Sequence, residues 1–144
     1  MRTRTEPVED NTGKSEVSSE NRGGGDVDQK YRIEHYCFGS MQIGGKLYNK
    51  DLIIFPGSVR VNWRRREGHV LNVADLQEIL DSQPELVIIG TGASGQMQIH
   101  PAARKALEER GIRYVVRNTE EAKDIYNRQI ERVSKVVGAF HLTC

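Results

Sequence analysis

The sequence predicts an α/β fold: a mixed sheet with helices packed on it, preceded by an antiparallel N-terminal portion. Three observations point there. Leu86-Val87-Ile88-Ile89 is an unbroken apolar run with branched side chains, the pattern of a strand covered on both faces. From Glu85 onward, strand and helix signals alternate, as they do where helices connect neighbouring strands. Before residue 64 the apolar stretches are short and broken by glycine and proline, as in hairpins.

Taken in order, residues 1–30 offer almost nothing to bury. They carry five basic and seven acidic residues with Ser18-Ser19 and Gly23-Gly24-Gly25 between them, which predicts a disordered tail. A single domain is expected over residues 31–144. Ile33 to Phe38 followed by Met41 to Ile43 reads as one strand interrupted near Gly39-Ser40. Gly44-Gly45 then turns the chain back through Leu47 and Tyr48. Asp51 to Phe55 is another strand, stopped by Pro56-Gly57, and Ser58 to Trp63 continues in extended form. Asn72 with Asp75 marks a helix start, and Val73, Leu76, Ile79 and Leu80 form its buried stripe until Pro84 ends it. Pro101 suits the first position of a helix over Ala102 to Arg110, where a missing amide donor costs nothing, and Gly111 suits its left-handed end. Ile112 to Val116 is expected as a parallel neighbour of Leu86–Ile89 through a right-handed crossover. Thr119 is expected to cap a third helix whose buried stripe uses Ala122, Ile125, Tyr126, Ile130 and Val133. Val136 to Leu142 closes the chain as a strand.

Composition narrows the function classes. The 144 residues suffice for one real core. With 21 basic and 20 acidic residues, no overall field draws the protein to nucleic acid or to an anionic membrane. No apolar run approaches the roughly 20 residues that span a bilayer. Cys37 and Cys144 are too few for a disulfide scaffold, and the N-terminus shows neither a secretory nor a transit pattern, so a cytoplasmic protein is expected.

Two stretches carry chemistry. Gly90, Thr91, Gly92, Ala93, Ser94 and Gly95 form a candidate ligand loop, because glycines let backbone amides approach an anion. Gly90-x-Gly92-x-x-Gly95 matches the start of a dinucleotide fingerprint, but Met97 to His100 separate it from the next helix, and Arg117-Asn118 stand where an acidic residue is wanted. Ser94 lacks the Gly-x-Ser-x-Gly frame of a hydrolase nucleophile, so a local backbone role is the ordinary reading. Trp63, Arg64, Arg65, Arg66 and His69 form a candidate partner surface, since tryptophan and arginine are frequent interface anchors. His35, His69, His100 and His141 show no metal-ligand spacing, and no metal, cofactor or catalytic residue is assigned.

Several separate motifs resemble one family. Tyr36-x-Phe38-Gly39-Ser40-Met41, Asp51-Leu52-Ile53-Ile54-Phe55-Pro56, Trp63-Arg64-Arg65-x-Glu67-Gly68-His69, Ile89-Gly90-Thr91-Gly92-Ala93-Ser94-Gly95 and Ala139-Phe140-His141-Leu142-Thr143-Cys144 are similar to the Mth938-domain family, also called DUF498. The resemblance covers residues 33–144. It implies a three-layer fold of mixed sheets and helices, and it includes eukaryotic relatives among which is a mitochondrial complex I assembly factor. The function expected is therefore non-enzymatic protein binding or assembly, with an unknown protein partner, no nucleic acid and no membrane span. The alternative is a small-molecule or cofactor-binding enzyme using the Gly90–Gly95 loop.

Overall fold

The computed structural model describes residues 31–144; the tail expected over residues 1–30 lies outside them. The described residues open with β1 (Ile33–Cys37), β2 (Ser40–Ile43) and β3 (Lys46–Tyr48), an antiparallel three-stranded sheet in that order. The expected single interrupted strand is thus two strands. Gly39, at φ 83°, makes the interruption a reversal of direction, so Cys37 pairs with Ser40. Gly44 and Gly45, at φ 57° and 81°, form the second turn as expected.

A second sheet is built from β4 (Leu52–Phe55), β5 (Ser58–Arg60), β7 (Leu86–Thr91), β9 (Arg113–Arg117) and β10 (Val136–His141). Its order is β5-β4-β10-β7-β9. β10 runs parallel to β7 and antiparallel to β4, and β7 runs parallel to β9. The parallel crossover expected between the Leu86–Ile89 strand and its successor is therefore present. All six residues of β7 and all six of β10 are buried, which accounts for the absence of polar alternation in either. Extended chain does not persist to Trp63, because Asn62 takes φ 56° and ends it.

Helices and the small sheet cover the two faces. On one face a 3₁₀ turn (Val73–Leu76), α1 (Gln77–Asp81) and α2 (Pro101–Glu109) pack Leu76, Ile79, Leu80, Ala103 and Leu107 against Ile53, Val87, Ile89 and Ala139. On the other, α3 (Thr119–Gln129) and the β1–β3 sheet pack Tyr126, Ile33, Met41 and Ile43 against Leu52, Ile54, Ile88 and Phe140. This is the mixed, layered α/β architecture that the resemblance implied. β6 (Val70–Leu71) and β8 (Gln98–Ile99) pair in parallel outside the main sheet.

Local signals mostly act where the sequence placed them. The Asp75 carboxylate accepts the Asn72 amide at 2.9 Å, and His100 Nδ1 accepts the Ala102 amide at 3.0 Å ahead of Pro101. The third helix differs. Its cap is Asn118, whose side chain accepts the Glu121 amide at 2.9 Å, because the Thr119 hydroxyl is engaged in a buried bond elsewhere. Among the described residues, no helix is long and apolar enough to cross a membrane.

Glycine in the middle of β10 has a packing reason. A Cβ at Gly138 would lie 2.5 Å from Phe140 Cε2 and 2.9 Å from Tyr126 Cδ1. These two rings meet edge to face with centroids 5.8 Å apart. Gly138→Ala must displace that pair, so it is expected to destabilise the domain by about 1–3 kcal/mol, read as a lowered urea midpoint with an altered near-ultraviolet aromatic signal.

Candidate functional site

Three polar side chains from distant parts of the chain meet where β10 leaves the main sheet. Asp51 immediately precedes β4, His141 ends β10, and Arg65 belongs to the loop before β6. His141 Nδ1 lies 2.7 Å from Asp51 Oδ2, Arg65 Nη2 donates to the same oxygen at 2.7 Å, and the Leu142 amide donates to Oδ1 at 2.8 Å. The side chains of Arg65 and His141 are only 4% and 7% exposed. Burial alone would raise the Asp51 pKa; the bonds from His141, Leu142 and Arg65 outweigh it and hold the carboxyl below the ordinary range.

The geometry also settles the imidazole. A carboxylate can only accept, so His141 Nδ1 carries a proton, and the 3.1 Å approach of Arg65 Nη2 to that nitrogen is a close contact between donors. In the neutral ring Nε2 then has a free lone pair. Nε2 and Arg65 Nη1 are both buried without a hydrogen-bond partner among the described residues. The ring of His69 stands edge-on to that of His141, with centroids 5.6 Å apart.

Arg65 fixes its own loop as well. Its Nε and Nη2 donate to Gly68 O at 3.2 and 2.9 Å, and its guanidinium carbon sits 4.9 Å from the centre of the Trp63 ring. The Trp63 amide donates to Asp51 O at 2.8 Å, its indole donates to Asp75 O at 3.3 Å, and the Arg66 amide donates to Asp75 Oδ1 at 3.2 Å. Of the residues expected to form a partner surface, Trp63 and Arg65 therefore face inward, while Arg64, Arg66 and His69 are exposed. Arg60 stands apart, paired with Glu78 at 2.9 Å.

The glycine loop lies on the other side of His141. The Gly92 amide donates to Thr119 Oγ1 at 2.8 Å, and that hydroxyl donates to His141 O at 2.6 Å. The Ala93 amide donates to Thr143 O at 2.6 Å, the Gln96 amide to Cys144 O at 3.0 Å, and the Gly95 amide to Gly92 O at 3.2 Å. Gly92 takes φ 106°, and a Cβ there would collide with the Cys144 backbone. Gly90 and Thr91 belong to β7, whereas Ala93, Ser94 and Gly95 are exposed at the turn. The loop clasps residues 143–144, and an anion seated on these amides would have to displace those carbonyls. Beyond the loop, the Tyr36 hydroxyl, its pKa pushed up by burial, donates to Leu142 O at 2.8 Å.

Sequence reasoning missed the Asp51–Arg65–His141 cluster. Its members are 14, 76 and 90 residues apart, and no spacing rule joins them. The one signal available was that Asp51, Arg65 and His141 each fall in a segment carrying the family resemblance. Because the Asp51 pKa is lower in the folded than in the unfolded chain, its stabilisation is present above the unfolded value near ~4 and is lost as pH falls through the folded value. Asp51→Asn should flatten the fall in urea midpoint as pH drops below about 4. Asp51→Ala, which strands Arg65, should cost about 3–5 kcal/mol at neutral pH in the same measurement.

Comparison with known proteins places this geometry in a family. The model of "Protein of unknown function (DUF498/DUF598)" matches residues 33–141. The solved structure named MT938 is 30% identical, with a TM-score of 0.62 over 78% of this chain and 97% of its own. The conserved hypothetical protein PH1505 from Pyrococcus horikoshii OT3 is 25% identical, with a TM-score of 0.64 over 78% and 98%. A Mth938-like domain protein of Bordetella pertussis shares the fold at 15% identity, with a TM-score of 0.60 over 88% and 92%. The chain belongs to the DUF498/DUF598 family of Mth938-like domains.

Proposed function

We propose that this domain is a non-enzymatic, cytoplasmic factor that acts by binding a protein partner, in a binding or assembly-related role. The observation that carries the reading is the alternation along residues 63–66. Trp63 and Arg65 are anchored inside, so Arg64 and Arg66 are held outward on a loop tied to Asp51, Asp75 and Gly68. A pinned loop loses little further freedom on binding, so arginines on it cost less to immobilise than arginines on a free one. Val61, 47% exposed two residues before Trp63, adds apolar surface in the same stretch. Exposed free thiols at Cys37 and Cys144 are in keeping with a reducing compartment.

The second reading, a ligand loop at Gly90–Gly95, has less support because the Ala93 and Gln96 amides already serve the backbone of residues 143–144. A calorimetric titration with nucleotides, phosphate and common carboxylates separates the two: heat of binding that disappears on Gly92→Ala would favour the loop.

Affinity isolation with the full chain should recover a reproducible protein partner. Reversing charge at Arg64 and Arg66 together is expected to reduce recovery about tenfold, equivalent to roughly 1.4 kcal/mol, with stability changed by less than about 0.5 kcal/mol. Trp63→Ala should instead lower stability by about 3–5 kcal/mol through the cavity it leaves. Unchanged recovery with the charge-reversed chain would remove this surface from the function.

A further inference from the structure

β9 is the outermost strand of the main sheet on the side away from β5, and among the described residues its far edge is bonded to no other strand. In a parallel ladder, alternate residues direct both amide and carbonyl to a given neighbour. The Arg113 amide points to Glu85 O on the β7 side, so Tyr114 and Val116 direct theirs outward. One of those outward groups, Val116 O, is held by the Arg117 guanidinium at 2.9 Å. The edge is thus guarded by a movable charged side chain, a common device against indiscriminate strand pairing.

The side chains set what such an edge would accept. Residues 113, 115 and 117 share one face, which gives Arg-x-Val-x-Arg, with both arginines exposed and Val115 partly buried among the residues around α3. The opposite face presents Tyr114 and Val116, and the Tyr114 hydroxyl is tied to Glu108 on α2 at 2.6 Å. We propose that β9 is a strand-addition site for an extended acidic segment of a protein partner, with acidic, apolar and acidic residues at alternate positions. The added strand would pair its backbone with Tyr114 and Val116, place an acidic side chain opposite each arginine, and draw Arg117 away from Val116 O. A second copy of this chain is a poor occupant. Antiparallel self-pairing about Val115 sets Arg113 against Arg117 of the other copy, and like charges directly opposite repel. The site is separate from the Arg64–Arg66 surface and does not depend on it.

The test uses the full chain and two fluorescein-labelled, end-blocked probes, Thr-Glu-Thr-Val-Thr-Glu-Thr and the same peptide with lysine for glutamate. Fluorescence anisotropy should show the acidic probe binding at least tenfold more tightly, with affinity falling as salt rises. Arg113→Glu with Arg117→Glu should invert that preference. Val116→Pro removes an outward amide while sparing the bonds to β7, and it should weaken acidic binding at least fivefold. Equal binding of the two probes, no binding of the acidic probe, or a preference unmoved by the charge reversal would overturn the proposal. So would concentration-dependent self-association abolished by Val116→Pro, which would assign the edge to a second copy.

Discussion

The carboxylate of Asp51 ties together three separate parts of the chain. It receives the Leu142 amide, the His141 imidazole and the Arg65 guanidinium, so the start of β4, the end of β10 and the loop before β6 are fixed by one partly buried group. Its position allows this because β4 and β10 are antiparallel neighbours, which brings the residue entering one beside the residues leaving the other. Taking a carboxylate out of water is costly, and here the cost is offset by charge-assisted bonds in good geometry. Removing Asp51 would leave His141 Nδ1 without its acceptor and Arg65 with Gly68 O in place of a carboxylate.

From this anchor the surfaces follow. With Arg65 held inside and stacked over Trp63, the residues between and beyond them must face solvent, and Arg64 and Arg66 do. On the opposite side of His141, the Thr119 hydroxyl ties Gly92 to the His141 carbonyl, and the glycine loop closes over residues 143–144. A loop whose glycines resemble a phosphate cradle is thus occupied by the protein's own backbone. The need for glycine is the same in both cases, because a side chain at position 92 would meet what lies against it.

Much of this fold was legible in the residues. The run Leu86–Ile89 signals a strand covered on both faces because no polar residue interrupts it. Pro101 marks a helix start through chemistry that works within one turn. Legibility fails where the deciding contact is non-local or the element is very short. Gly39 reads as an interruption, since a five-residue and a four-residue strand joined through Phe38-Gly39 look like a single broken strand in one dimension. Thr119 has the right chemistry for a cap, but a buried acceptor on β10 claims its hydroxyl and leaves the cap to Asn118. β6 and β8, two residues each, are too short for any periodicity to register. The polar cluster was illegible because tertiary structure alone brings Asp51, Arg65 and His141 together.

The placement of β10 also bears on how the molecule is made. It is the last strand along the described chain, yet it stands third in the sheet, between the β4–β5 hairpin and the β7–β9 pair. During synthesis those two pairs emerge from the ribosome first, each with an inner edge that awaits β10. The sheet is completed only when residues 136–141 thread between them, so nascent chains halted before that point would expose two sticky borders to chaperones or to each other.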